Sequence, residues 1–164
     1  MHFLVALAAT LALTAPAAES NVAPCERAII GHGSAAWRSE SAAAGPVGVR
    51  RHPLSAMSRE SNGLVTKMPI LVEGREPETV TVSVPPALRK RVFLYFGDAS
   101  SFARDHGYPE IEFQLCGDKP RTIWPGGVRV KGMAPVHLDV FAEGRPEPYV
   151  LHLGRPKLYR PPTS

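Results

Sequence analysis

The chain is poor in aromatic residues, holds two cysteines, and beyond its first dozen residues lacks any apolar run that approaches a membrane span. Phe, Trp and Tyr make up only 7% of it, so few rings can be spared from a core to stack on sugars or bases. The two cysteines, Cys25 and Cys116, form no C-x-x-C pair. A helix needs about 20 apolar residues to cross roughly 30 Å of hydrocarbon, and nothing after Leu13 supplies them. H-E-x-x-H, G-x-S-x-G, the P-loop and the dinucleotide fingerprint are also missing. The residues therefore name no reaction, and no cofactor, nucleic acid or membrane span is expected.

What is present begins with a leader. Phe3 to Leu13 is uncharged and apolar, and the small residues Ala15-Pro16-Ala17-Ala18 follow. This is the h-region and cleavage-site pattern of a secretory signal peptide, predicted for residues 1–18. The remainder is expected to be a secreted or extracytoplasmic single domain: a loop-rich part with one or two short strands over 19–67, a core over 68–154 and a disordered tail over 155–164.

The formal charge of +4 falls wholly after the leader, because residues 1–18 contain no Lys, Arg, Asp or Glu. Two basic clusters stand out, Arg50-Arg51-His52 and Arg89-Lys90-Arg91. Each is a candidate anion-binding patch for a wall polymer or a lipid head group, set against the plainer reading of a solvated surface. Cys25 and Cys116 in an oxidising compartment are expected to pair, the competing reading being two free thiols. Gly31-His32-Gly33-Ser34 puts a hydroxyl beside an imidazole, and Glu73, Glu76 and Glu78 crowd a predicted hairpin tip. Neither spacing favours a catalytic pair, since such pairs come from distant positions.

From Met68 onward the pattern is that of strands. Runs at 68–73, 79–84, 91–96, 110–116, 121–124, 128–131, 136–142 and 149–153 are rich in Val, Ile, Phe and Tyr and separated by turn residues. Val80, Val82 and Val84 alternate with Thr79, Thr81 and Ser83, as Ile111, Phe113 and Leu115 do with Glu110, Glu112 and Gln114. The expected fold is all-β, an antiparallel β-sandwich of Ig-like or related type with about eight strands. Ala28 to Ile30 and Gly45 to Val49 are weaker strand candidates, and 33–44 reads as a loop anchored by Trp37. Trp124-Pro125-Gly126-Gly127 reads as a turn joining two antiparallel strands. Ala99 to His106 is the one helix candidate.

The last two runs support a sharper inference. Val136, Leu138 and Val140 form one apolar face and Tyr149, Leu151 and Leu153 the other. Pairing Leu138 with Leu151 sets His137 opposite His152, with Asp139 on the same face. Directly opposed side chains have Cβ atoms about 4.5 to 5.5 Å apart. Two imidazoles and a carboxylate are a common zinc shell, so His137, Asp139 and His152 are a candidate metal site. The alternative is three polar residues on a solvent-facing side, with the register shifted by two.

Ala44-Gly45-Pro46-Val47-Gly48, Val82-Ser83-Val84-Pro85-Pro86, Arg91-Val92 with Tyr95, Trp124-Pro125-Gly126-Gly127 and Leu138-Asp139-Val140 together resemble a loosely defined set of uncharacterised exported proteins of high-GC bacteria. The resemblance implies a signal peptide and a compact β-sandwich, and carries no assigned activity. Some such proteins have further cysteines where this chain has Ala134-Pro135-Val136-His137 and Gly154-Arg155-Pro156, which implies one bridge here. The expected role is a non-catalytic binding or structural module at the cell envelope, its partner an envelope polymer or protein. The alternative is a small metal-dependent or hydrolytic enzyme using His137, Asp139 and His152.

Overall fold

The computed structural model describes residues 20–29, 37–74, 78–97, 107–117 and 120–160. The leader, the segment Gly31 to Ser34, Glu76 and the helix candidate Ala99 to His106 lie outside the described residues. Each of the eight expected runs overlaps a strand: β6 (Ile70–Glu73), β7 (Thr79–Ser83), β8 (Val92–Phe96), β9 (Glu110–Gln114), β10 (Arg121–Trp124), β11 (Gly126–Val130), β12 (Val136–Ala142) and β13 (Tyr149–Gly154). The stretch expected to be loop-rich adds five more, β1 (Ser20–Ala23), β2 (Ser41–Ala44), β3 (Val47–Arg50), β4 (Ser58–Glu60) and β5 (Gly63–Lys67). Its Ala and Ser residues hide the alternation that marks strands elsewhere. The supposed loop around Trp37 is a single helical turn, α1 (Trp37–Glu40), running straight into β2. Of the Ala28 to Ile30 candidate, Ile30 lies outside the described residues and Ile29 forms an isolated bridge with Ile123.

Three sheets result: β1-β9-β7-β12-β13, β10-β6-β3-β2 and β4-β5-β11-β8. All neighbours are antiparallel except β1 and β9. The two four-stranded sheets are halves of one bent ladder. The register that pairs Lys67 with Gly127 also pairs Ile70 with Trp124, so it crosses the gap without a slip and sets Pro69 opposite Pro125. Neither proline has an N–H to donate, and strands that change sheets by such bends make the corners of sandwiches. Trp124-Pro125-Gly126-Gly127 is therefore a bend in a continuing chain, not the expected turn between paired strands. Glycine is required at 126 because a Cβ there would lie 2.1 Å from the Tyr95 carbonyl oxygen. The β6–β7 hairpin expected at Glu73 to Thr79 is also replaced, since β6 and β7 belong to different sheets.

The apolar faces of all three sheets share one core. Phe113 of β9 stands with its ring centre 5.0 Å from that of Trp124 and 6.0 Å from that of Phe96, so β8, β9 and β10 meet on it. Gly45 and Pro46 link β2 to β3, which pair from Ala44 with Val47 outward. Gly45 has φ +55°, the left-handed value that the first corner of a type II′ hairpin demands and proline at the second allows. Trp37 is buried and lies on Gly48, where a Cβ would come within 2.1 Å of its ring.

Two features lock the body. Cys25, just after β1, is bonded to Cys116, just after β9, across 91 positions of sequence. The bridge closes the end of the one parallel pair, where no short hairpin can hold the strands together. The second is a buried cation in β11. Arg129 is only 2% exposed, donates from Nη1 to the Tyr95 hydroxyl at 2.7 Å, and pairs through Nη2 with Glu60 at 2.9 Å. Among the described residues no helix is long and apolar enough to cross a membrane.

Replacing both cysteines by alanine removes a cross-link worth on the order of 4 to 5 kcal/mol in the chain-entropy model, and urea unfolding of the variant should show a loss of that order. Tyr95→Phe leaves a buried guanidinium N–H without its acceptor and should cost about 1–3 kcal/mol. The double variant Tyr95→Phe, Arg129→Met should recover part of that loss, because an apolar pair strands no charge. A Tyr95→Phe protein as stable as the parent would mean that the hydroxyl does not hold Arg129.

Candidate anion-binding site

A cleft with basic residues on both walls forms where two distant segments meet. After β3 the chain turns through Arg51 to Met57, with Leu54 and Met57 fully buried as anchors. The buried Thr66 hydroxyl donates to the Pro53 carbonyl at 3.2 Å. Within this turn the Ser55 N–H donates to the His52 carbonyl at 3.1 Å. His52 has φ 53°, the one positive value at a non-glycine among the described residues. A backbone held in that region costs on the order of 1–3 kcal/mol and clusters at functional sites.

The tail supplies the other wall. Expected to be disordered over 155–164, it instead runs beside the turn as far as Tyr159, and 161–164 lie outside the described residues. The Met57 N–H donates to the Lys157 carbonyl, the Lys157 N–H to the Leu54 carbonyl (each 2.8 Å) and the Tyr159 N–H to the Met57 carbonyl at 3.0 Å. Pro156 is buried. Alternation along this extended segment turns Pro156 inward and leaves Arg155 and Lys157 exposed on the other side.

Between the two segments lies a cleft of about 520 Å³ lined by His52, Ser55, Leu153, Gly154, Arg155 and Lys157. Among the described residues its lining draws on an arginine, a lysine, a histidine and a serine, and on no Asp or Glu. Such a donor set suits phosphate, sulfate or carboxylate oxygens, to which charge-assisted hydrogen bonds are the strong ones. The Arg50-Arg51-His52 cluster thus contributes through His52. Arg51 is engaged elsewhere, donating to the Ser39 carbonyl, and Arg50 is exposed at the end of β3.

The second basic cluster serves the fold. Arg89 donates from Nε to the Val84 carbonyl at 3.1 Å. Arg91 donates to the carbonyls of Ala134 at 3.0 Å and Pro135 at 2.8 Å. These bonds pin the turn before β8 to its neighbours and leave Lys90 as the freely exposed cation. Of the acidic group, Glu73 is paired with Arg38, while Glu78 lines a second, smaller cleft with Glu73 and Glu143.

The hairpin of β12 and β13 has the expected register, with His137 opposite His152 and Leu138 opposite Leu151. The imidazole centres are 6.2 Å apart. Asp139 stands opposite Val150, and among the described residues no group of three or more His, Cys, Asp or Glu side chains is close enough to hold a metal ion. The two histidines are brought together; the three-ligand set is not.

Arg155, Lys157 and Ser55 were not singled out by sequence reasoning. The alternation of Arg155 and Lys157 about Pro156 was visible, but nothing in it says that the tail is held by Leu54 and Met57. Comparison with protein-family models, with curated proteins and with solved structures finds no match to this chain.

Proposed function

We propose that the protein is an exported, non-catalytic binding module whose cleft between His52–Ser55 and Arg155–Lys157 takes an anionic polymer of the cell envelope. The observation that carries this reading is the cleft's lining, cationic and hydroxyl groups from two segments with no carboxylate among them. The apolar leader supports export, and so does the bridge between Cys25 and Cys116, since such bonds persist in oxidising compartments. The cations sit on exposed backbone rather than in a dry pocket. Each contact is then weak and screened by salt, which suits reversible attachment to a repeating polyanion. Affinity for a polymer comes from several such contacts engaged together.

The test uses the mature protein with a phosphate-bearing glycopolymer and a carboxylate-bearing one as probes. Arg155→Gln with Lys157→Gln should weaken binding about tenfold or more at low salt, and parent affinity should fall steeply as ionic strength rises. Lys90→Gln, at the other basic cluster, should bind as the parent does. Binding indifferent to salt, or a loss at Lys90 as large as at the cleft, would refute the proposal. Circular dichroism of each variant separates lost contacts from lost fold.

A further inference from the structure

We infer that the outer face of the five-stranded sheet carries a second site, independent of the cleft, in which His137 and His152 together bind one borderline transition-metal ion. The hairpin holds the two residues directly opposite each other. Their ring centres are 6.2 Å apart and their planes meet at 46°. Metal–nitrogen bonds of roughly 2.0–2.1 Å place two imidazole centres about 5 to 6 Å apart around one ion. The observed separation lies just beyond that range, so the two rings stand nearly close enough to share an ion. His152 is exposed and His137 half-buried, so the ion has access.

The surroundings favour a cation. Asp139 lies two residues from His137 on the same face, and Ser83 of β7 separates it from Glu110 across the sheet. Glu112 occupies the next row, opposite Thr81. None of the outward-facing positions on β7, β9, β12 and β13 is Lys or Arg. This sheet face is acidic in a chain whose formal charge is +4. With two nitrogen ligands and water in the remaining positions, the site suits Cu²⁺ above Zn²⁺ and Ni²⁺ in the usual affinity order. It does not suit Mg²⁺ or Ca²⁺, which demand oxygen ligands. Asp139 acts through the ion's bound water rather than as a ligand, which agrees with its place opposite Val150.

The ion would tie the last strand of the sheet to its neighbour, and binding to the folded form alone stabilises it. Untagged mature protein is titrated calorimetrically with Cu²⁺, Zn²⁺ and Mg²⁺, and its Tm is followed in parallel. The expected result is one Cu²⁺ per chain, weaker Zn²⁺ and no Mg²⁺, with a rise in Tm on the order of 5–10 °C at a hundredfold excess of Cu²⁺ over its Kd. His137→Gln and His152→Gln should each weaken Cu²⁺ binding tenfold or more and abolish the rise, whereas Asp139→Asn should weaken it less. Both histidines are partly or fully solvent-facing, so these variants should fold. Cu²⁺ binding unchanged in the His137→Gln, His152→Gln double variant, or Mg²⁺ binding as well as Cu²⁺, overturns the inference. The Arg155→Gln, Lys157→Gln variant should bind Cu²⁺ as the parent does, so failure of the anion-binding reading leaves this result standing.

Discussion

Two prolines facing each other across a ladder set the architecture. Pro69 and Pro125 fall on the same rung of the pairing between 63–73 and 121–130, and that rung has no backbone donor on either strand. The ladder must break there, yet the register on both sides is the same, so the break is a bend and not a slip. Sheets packed face to face need corners, and a bend of this kind lets one pair of strands serve two sheets. Trp124 and Met68 flank it from inside the core, both nearly fully buried. The ring of Trp124 then meets Phe113 of the third sheet, which is how the corner is joined to the rest of the body. Gly126 completes the arrangement, since only a residue without a side chain lets β11 lie this close to the Tyr95 carbonyl.

A corner built this way leaves both described ends of the chain to be fastened by contacts far apart in sequence. β1 enters as a parallel edge strand beside β9, and the bond from Cys25 to Cys116 secures it. The tail after β13 is fastened by main-chain hydrogen bonds to Leu54 and Met57. Both closures join segments about 90 to 100 residues apart, so the entropy of closing those loops is lost before their contacts form. Fastening the tail has a second consequence. It places Arg155 and Lys157 against a turn that already carries His52 and Ser55, and so builds a cationic wall that neither segment has alone.

What could be read in advance follows from how each signal is encoded. Strands such as β7, β9 and β12 alternate bulky apolar residues with polar ones, a pattern that survives without knowledge of partners. Matching Val136, Leu138 and Val140 to Tyr149, Leu151 and Leu153 admits both the register that pairs Leu138 with Leu151 and one shifted by two, and the chain adopts the first, which sets His137 opposite His152. β2 was not legible: Ser41-Ala42-Ala43-Ala44 has side chains too small to show which face is inside. The Trp124-Pro125-Gly126-Gly127 motif misled because proline and glycine mark a bend and a reversal alike, and only the partner strand, with its own Pro69, distinguishes them. The cleft was half legible. Arg50-Arg51-His52 is conspicuous, but its other wall depends on a docked tail whose composition resembles that of a loose one.

The net charge hides a division that the sheet order reveals. Glu110, Glu112 and Asp139 share one outer face with no cation among its strand positions, while the cleft at the tail gathers cations with no carboxylate in its lining. The two regions are joined by β13. His152 is two residues before Gly154, where the chain leaves the sheet with φ 87°, and Arg155 follows at once. An ion held between His137 and His152 would restrain the strand from which the cationic wall emerges, and an anion in the cleft would restrain the same segment from its other end. If that shared restraint changes either affinity, thermodynamic linkage requires it to change the other by the same factor.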